Sequence, residues 1–156
     1  MKPVKELFKQ FNSSKWEAKL SAADQIAELK SNEGNQFLID KLKSDNASDR
    51  NAAALGMRET RNQIFLEPIL NRIKNLGNQE NIGTLIYSIQ NFDCSSILLE
   101  LICLHVNGEE EIKMGTSTIL TEQTFLISEL EKERINKKLR KDGVNLDELG
   151  IEYHIE

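Results

Sequence analysis

The sequence predicts an all-α fold, an α-solenoid of stacked antiparallel helix pairs with about eight or nine helices. Three observations carry this prediction: a repeat at a fixed offset, apolar residues at helical spacing, and few residues that break helices. Only two prolines and eight glycines occur in the 156 residues, and aromatic residues make up 6% of the chain. This composition favours long helices over the many short strands of a β-sandwich or barrel.

Two predicted helices precede the repeat. The first covers Pro3 to Phe11, with proline at a position that tolerates it. The second covers Lys15 to Lys30, and Ser14 and Glu17 have the spacing of a capping box at its start. Apolar residues recur along this second helix at intervals of three and four, which indicates one buried face.

The repeat itself consists of residues 35–60 and 66–91, which align without a gap at an offset of 31. Each block reads as an apolar helix, a polar turn and a second helix with a small residue inside. Ala52 aligns with Gly83, and we expect these small residues to let paired helices approach closely. Residues 97–123 form a third, looser block. Stacked units of this kind bury apolar faces that one helix pair cannot bury alone.

The two clear blocks resemble HEAT repeats and the HEAT-like repeats of bacterial proteins. Residues 66–70 (LEPIL) resemble the first helix of such a unit, and residues 48–56 (SDRNAAALG) resemble the second. The resemblance implies first helices on a convex side, second helices on a concave side, and a protein-binding role as scaffold or adaptor. Some HEAT-like proteins are enzymes, so an enzyme acting on nucleic acid or a pigment is the alternative function.

The C-terminal part has a different character from the repeats. Residues 124–141 are predicted to form a basic capping helix, which completes a single solenoid domain over residues 1–141. Residues 142–156 form an acidic tail, and its last six residues alternate in a way that predicts an extended segment. Three placements stay open for this tail: a mobile terminus, folding back onto the basic helix end, or docking on a partner.

The net charge indicates which class of partner to expect. A net charge of −5 makes nucleic acid an unfavourable ligand and favours a basic protein partner.

Apolar patterning and the cysteines indicate the cellular location. The longest apolar stretch, Ile97 to Val106, is too short to span a bilayer, and the N-terminus lacks a signal-peptide pattern. Cys94 and Cys103 would lie too far apart on one helix to form a disulfide. We therefore expect a cytoplasmic protein without membrane contact.

The sequence predicts no catalytic residues, no metal site and no cofactor. Its two histidines, His105 and His154, stand in no metal-ligand spacing. Cys103 and His105 would face apart on a helix. The acidic run at residues 109–111 is explained by the preference of carboxylates for a helix N-terminus.

These observations predict a non-enzymatic protein-interaction module that binds its partner on the concave face of the second helices. A narrower hypothesis, based on size and charge, is an immunity-type inhibitor of a basic toxin. The helical phase of the second helices is set by taking Ala52 and Leu55 as buried. The predicted concave-face residues are Arg50, Met57, Asn81, Tyr87, Ser88, Glu111, Thr118 and Glu122.

Overall fold

The computed structural model of this chain describes residues 2–13, 15–77 and 82–156, and they are predominantly helical. Nine α-helices and one two-stranded sheet lie within these residues. The all-α class predicted from the sequence is therefore confirmed. The chain divides into two compact units, Met1–Phe92 and Asp93–Glu156. This division precedes the third predicted block, whereas the sequence analysis assigned residues 1–141 to one domain.

The first unit contains six helices among its described residues. They are α1 (Val4–Phe11), α2 (Trp16–Glu28), α3 (Asn32–Leu42), α4 (Ala47–Thr60), α5 (Leu66–Leu76) and α6 (Gly83–Ile89).

Side-chain caps explain where two of these helices begin. The hydroxyl of Ser31 accepts a hydrogen bond from the backbone N–H of Gly34 at 3.0 Å, at the start of α3. The side chain of Asn46 accepts from the N–H groups of Ser48 and Asp49 at the start of α4. The capping box predicted for α2 depends on Ser14, which lies outside the described residues.

Helix α4 packs against three helices of the first unit, α2, α3 and α6, and its contact with α2 is the most extensive. Its small residues make this possible, because residues 52–54 are alanines with no exposed surface. The helices α2 and α4 approach each other closely at Gly56. A Cβ atom placed on Gly56 would lie 2.8 Å from both the Cβ and the carbonyl carbon of Ala23. Only glycine permits this separation between the two backbones.

Helices of the first unit also contact one another in a regular order. Neighbours in sequence pack in pairs, α1 with α2, α3 with α4, and α5 with α6, and α2 also packs against α3. One row then joins α2, α4 and α6, which are the predicted second helices. On the other side α3 contacts α5, and Phe8 of α1 stacks on Phe37 of α3 with ring centroids 4.0 Å apart.

The second unit combines three helices with the small sheet. Its elements are α7 (Leu98–Asn107), α8 (Glu110–Glu122), β1 (Phe125–Ile127), α9 (Glu129–Leu139) and β2 (Tyr153–Ile155).

The prediction of a capping helix over residues 124–141 is wrong for the first part of this range. Phe125–Ile127 is a strand with alternating burial, and the helix begins only at Glu129. The hydroxyl of Ser128 caps it by accepting from the N–H of Glu131 at 3.2 Å. A short apolar run fits a strand and a helix equally well, and here pairing with another strand decides between them.

The acidic tail supplies the partner strand. β2 pairs with β1 in parallel, with Phe125 opposite Tyr153 and Ile127 opposite Ile155. The extended segment predicted for the last residues is confirmed over Tyr153–Ile155. Among the placements left open for the tail, folding back is the one that the structure shows, but its strand pairs with β1 and not with the basic end of α9. The tail returns to the strand before α9, and Leu146 N–H also donates to Asn136 Oδ1 within α9 at 2.7 Å.

Cys94 and Cys103 form no disulfide with each other, and Cys94 lies before α7, outside the single helix that the spacing argument assumed. Burial raises the pKa of the Cys94 thiol to about 12, and the hydrogen bond from Gln123 opposes this only in part. A thiol that stays protonated is a poor nucleophile and a poor metal ligand. Within the described ranges, no helix combines the length and the apolar character that crossing a bilayer requires.

Gly56→Ala tests the close approach of α2 and α4. We expect the variant to lose about 1–2 kcal/mol of unfolding free energy in urea titration, because overpacking outweighs the roughly 1 kcal/mol gain in helix propensity. Adding Ala23→Gly should recover only part of the loss, since the backbone carbonyl of Ala23 stays within 2.9 Å. A Gly56→Ala variant with the same unfolding free energy as the parent would contradict the packing described here.

Tyr153→Phe tests how the tail is held. Tyr153 Oη donates to a carboxylate oxygen of Asp147, and Lys132 Nζ lies 3.4 Å from the other oxygen. These contacts lower the pKa of Asp147 below its ordinary 3.8, the tyrosine hydrogen bond most of all. Their stabilising effect is therefore present above pH 3.8 and is lost as pH falls through the lowered pKa.

In the Tyr153→Phe variant we expect the pKa of Asp147 to rise towards 3.8 and the amide of His154 to exchange faster at pH 7. NMR titration and hydrogen exchange measure the two effects. Asp142→Asn, at an exposed carboxylate elsewhere in this segment, serves as the control. Unchanged exchange at His154 would show that the hydroxyl does not hold the tail.

Candidate binding face

Three of the predicted concave-face residues are buried, which corrects that part of the prediction. Arg50 is 4% exposed, and Met57 and Ser88 have no exposed surface. Leu55, taken as buried to set the helical phase, is only half-buried. Because α4 packs against three helices, most of its circumference is covered. Ser88 on α6 tolerates burial since its hydroxyl donates to Leu85 O at 2.7 Å.

The remaining predicted residues fall into two groups. Tyr87 of the first unit is exposed at 46%, as predicted. In the second unit, Glu111, Thr118 and Glu122 all have solvent access on α8. Asn81 lies outside the described residues.

Part of the α8 group lines a cavity within the second unit. Thr118 and Glu122 border a space of about 470 Å³ together with His105, whose Nδ1 lies 3.2 Å from Thr116 Oγ1. Glu111 is not among the residues around it. In the parts of the chain that the structure describes, no three His, Cys, Asp or Glu side chains are grouped to hold a metal ion.

A cavity of the first unit that is lined mainly by charged residues lies along α2 and α4, and we name it the acidic groove. It has a volume of about 380 Å³. Its lining residues are Asp24, Ala27, Glu28, Lys30, Gly56, Glu59 and Thr60. The close approach at Gly56 is thus what brings carboxylates from two helices to one cavity.

Carboxylates dominate the electrostatics of the acidic groove. The pKa of Asp24 is raised from 3.8, first by burial and then by the negative charges of Glu59 and Glu28. Glu59 also accepts a hydrogen bond from Arg58 Nη1 at 2.5 Å, and Lys30 is the one cation among the lining residues. Since Asp24 still experiences a net negative field, a cation entering the groove would be stabilised.

An exposed aromatic ring lies on the same row of helices as the acidic groove. The guanidinium carbon of Arg58 lies 4.2 Å from the ring centroid of Tyr87, and Arg58 Nε donates to Tyr87 O at 3.3 Å. This cation–π contact joins α4 to α6 and holds the ring at the surface. Exposed tyrosines supported in this way are favoured anchors of protein interfaces.

The sequence analysis did not identify the carboxylates of the acidic groove. Asp24 and Glu28 lie on α2, outside the aligned blocks, and Glu59 lies near the end of α4. Their one local signal is the four-residue spacing of Asp24 and Glu28, which places two like charges on one helix face.

No protein-family model matches this sequence, and the search of curated proteins found no match either. The resemblance to HEAT repeats therefore stays a prediction, and the function has to be argued from the geometry of the site.

Asp24→Asn tests the electrostatics of the groove. Because the folded state raises the pKa of Asp24, the ionised carboxylate lowers stability as pH rises through that raised value. We expect the variant to melt at a higher temperature than the parent at pH 7. The difference should vanish below pH 3.8, where both states bind the proton.

Thermal unfolding followed by circular dichroism at several pH values measures this effect. Asp40→Asn on α3 removes an exposed carboxylate outside the groove and serves as the matched control. An Asp24→Asn variant that is less stable at neutral pH would contradict the electrostatics described here.

Proposed function

We propose that this chain is a non-enzymatic binding protein that holds a basic segment of a partner protein in the acidic groove. The observation that carries the proposal is the concentration of Asp24, Glu28 and Glu59 in one cavity, with Asp24 in a net negative field. A carboxylate such as Asp24, whose pKa is raised by burial and by two neighbouring carboxylates, suits a site that receives a cation from the partner.

The shape of the groove suits a lysine or arginine side chain. Ala27 and Gly56 have little or no side chain and provide an apolar floor, on which the methylene groups of such a side chain can lie. The carboxylates then meet its charged end. Tyr87, held by Arg58 on the same row of helices, is the proposed aromatic anchor beside this contact.

We further propose that the first unit is a HEAT-like stack, with α2, α4 and α6 as its concave row. The contacts between successive pairs and along this row support the assignment. A scaffold or adaptor in the cytoplasm fits this proposal. An immunity-type inhibitor of a basic toxin is a special case of it, because the partner would again be basic.

Binding of a fluorescein-labelled decalysine peptide, measured by fluorescence anisotropy at low salt, tests the groove. We expect Glu28→Gln and Glu59→Gln each to weaken binding by about two- to fivefold, as loss of a partly exposed ion pair of about 0.5–1 kcal/mol predicts. Asp24→Asn should weaken binding as well. Raised salt should reduce the differences between parent and variants.

Glu67→Gln is the matched control, because it removes one carboxylate from α5, away from the groove. We expect it to bind the peptide like the parent. If Glu67→Gln weakens binding as much as Glu28→Gln, binding follows net charge alone and the groove is not the site. Tyr87→Ala tests the anchor with a peptide that carries both lysine and tyrosine, and unchanged affinity there would exclude the ring.

A further inference from the structure

Two arginines of the first unit converge on the turn between α3 and α4. Arg50 Nη1 donates to Ser44 O at 3.2 Å, and Arg72 Nη2 donates to the same oxygen at 3.1 Å. Arg50 Nη1 also donates to Asp45 O at 3.3 Å. A shared acceptor places the two guanidinium groups side by side, although like charges repel.

The protein gives this arginine pair little compensating charge. Arg50 is 4% exposed and the side chain of Arg72 is 15% exposed. Asp45 Oδ1 lies 3.4 Å from Arg72 Nη2, but the Asp45 side chain is fully exposed to water, so its field is screened. The pKa of Arg50 is lowered, first by burial and then by the positive charge of Arg72. The negative charge of Asp45 raises it, but this is the smallest of the three effects.

The pair also has unused hydrogen-bond donors. The Nε atoms of Arg50 and Arg72 are both buried, and neither has a hydrogen-bond partner. Each guanidinium carries five N–H donors in a planar fork that fits the oxygens of a carboxylate or phosphate. Buried donors of this kind are costly unless a group accepts from them.

Arg72 opens onto a cavity of about 380 Å³ between α3 and α5. Its polar lining consists of Arg72, Lys43, Asn71, Asn75 and Glu67, and its apolar lining consists of Ile39, Leu42 and Pro68. The volume is in the range of small-molecule sites, and an apolar wall with a few polar groups is typical of them.

We propose that this cavity binds a small organic anion, whose carboxylate or phosphate accepts hydrogen bonds from Arg72. Lys43 is a second cation at the cavity, with its Nζ 3.5 Å from Asp40 Oδ1, and Glu67 is the carboxylate of the lining, so Arg72 is the main contact for the anion. The apolar part of the ligand rests on Ile39, Leu42 and Pro68. Arg50 acts through Arg72, as a buried charge that strengthens the local positive field. The site belongs to α3 and α5, not to the row that carries the acidic groove, so it is independent of the proposed basic partner.

NMR observation of the arginine Nε–Hε groups tests this site directly. The ¹⁵N-labelled chain is titrated with sodium phosphate, with sodium butyrate and with sodium chloride at matched ionic strength. We expect the Arg72 signal to shift and saturate with phosphate or butyrate, and to stay nearly constant with chloride. Saturation with phosphate alone assigns a phosphorylated ligand, and saturation with butyrate alone assigns a carboxylate. The proposal is overturned if neither anion produces a saturable shift.

Variants of single arginines test whether anions bind at this cavity or are attracted only by the net charge of the protein. Arg72→Lys keeps the charge but not the fork, and it should weaken anion binding at least about tenfold, as followed by the amide signals of Asn71 and Asn75. Arg72→Gln should abolish the saturable response. Arg61→Gln removes an exposed cation at the end of α4 and should leave binding unchanged. If Arg61→Gln reduces binding as much as Arg72→Gln, the response reflects net charge and the proposal fails.

Discussion

Helices α2 and α4 can approach to backbone contact because Gly56 carries no side chain opposite Ala23. This contact bears on both the packing of α4 and the shape of the acidic groove. Helix α4 packs against α3 and α6 as well, and an arginine, a methionine and three consecutive alanines of this one helix are buried. The close approach at Gly56 also gives the acidic groove a shallow floor between the two helices. Carboxylates of both helices line the same cavity as a result. The acidic groove is thus a product of packing as well as of charge.

Local signals in the sequence were sufficient to locate most of the helices. Apolar spacing and capping residues act within one or two turns, and α4 begins directly after the capping residue Asn46. The strand Phe125–Ile127 could not be located in this way, because its conformation depends on residues 153–155 far along the chain. A three-residue apolar run gives no periodicity that would separate a strand from a helix.

The candidate site was harder to predict than the helices, for a specific reason. An alanine-rich helix has a weak apolar moment, so the sequence of α4 does not say which side faces the core. Taking Leu55 as buried rotated the helix, and Arg50 and Met57 were placed in solvent as a result. Tyr87 is exposed, and the sequence drew attention to it because a large aromatic ring stands where the aligned block has Gly56. The charges of α2 lay outside the alignment, and only the fold brings them to Glu59.

The pairing of β2 with β1 also covers one edge of the apolar strand Phe125–Ile127. An apolar strand such as Phe125–Ile127 would be a template for intermolecular sheets if its edge were open. β2 occupies that edge, and Glu152 and Glu156 flank β2 with negative charge. Charged residues beside an outer strand discourage the addition of further strands. The acidic tail therefore pairs with the apolar strand along one edge and places two carboxylates beside the outer strand.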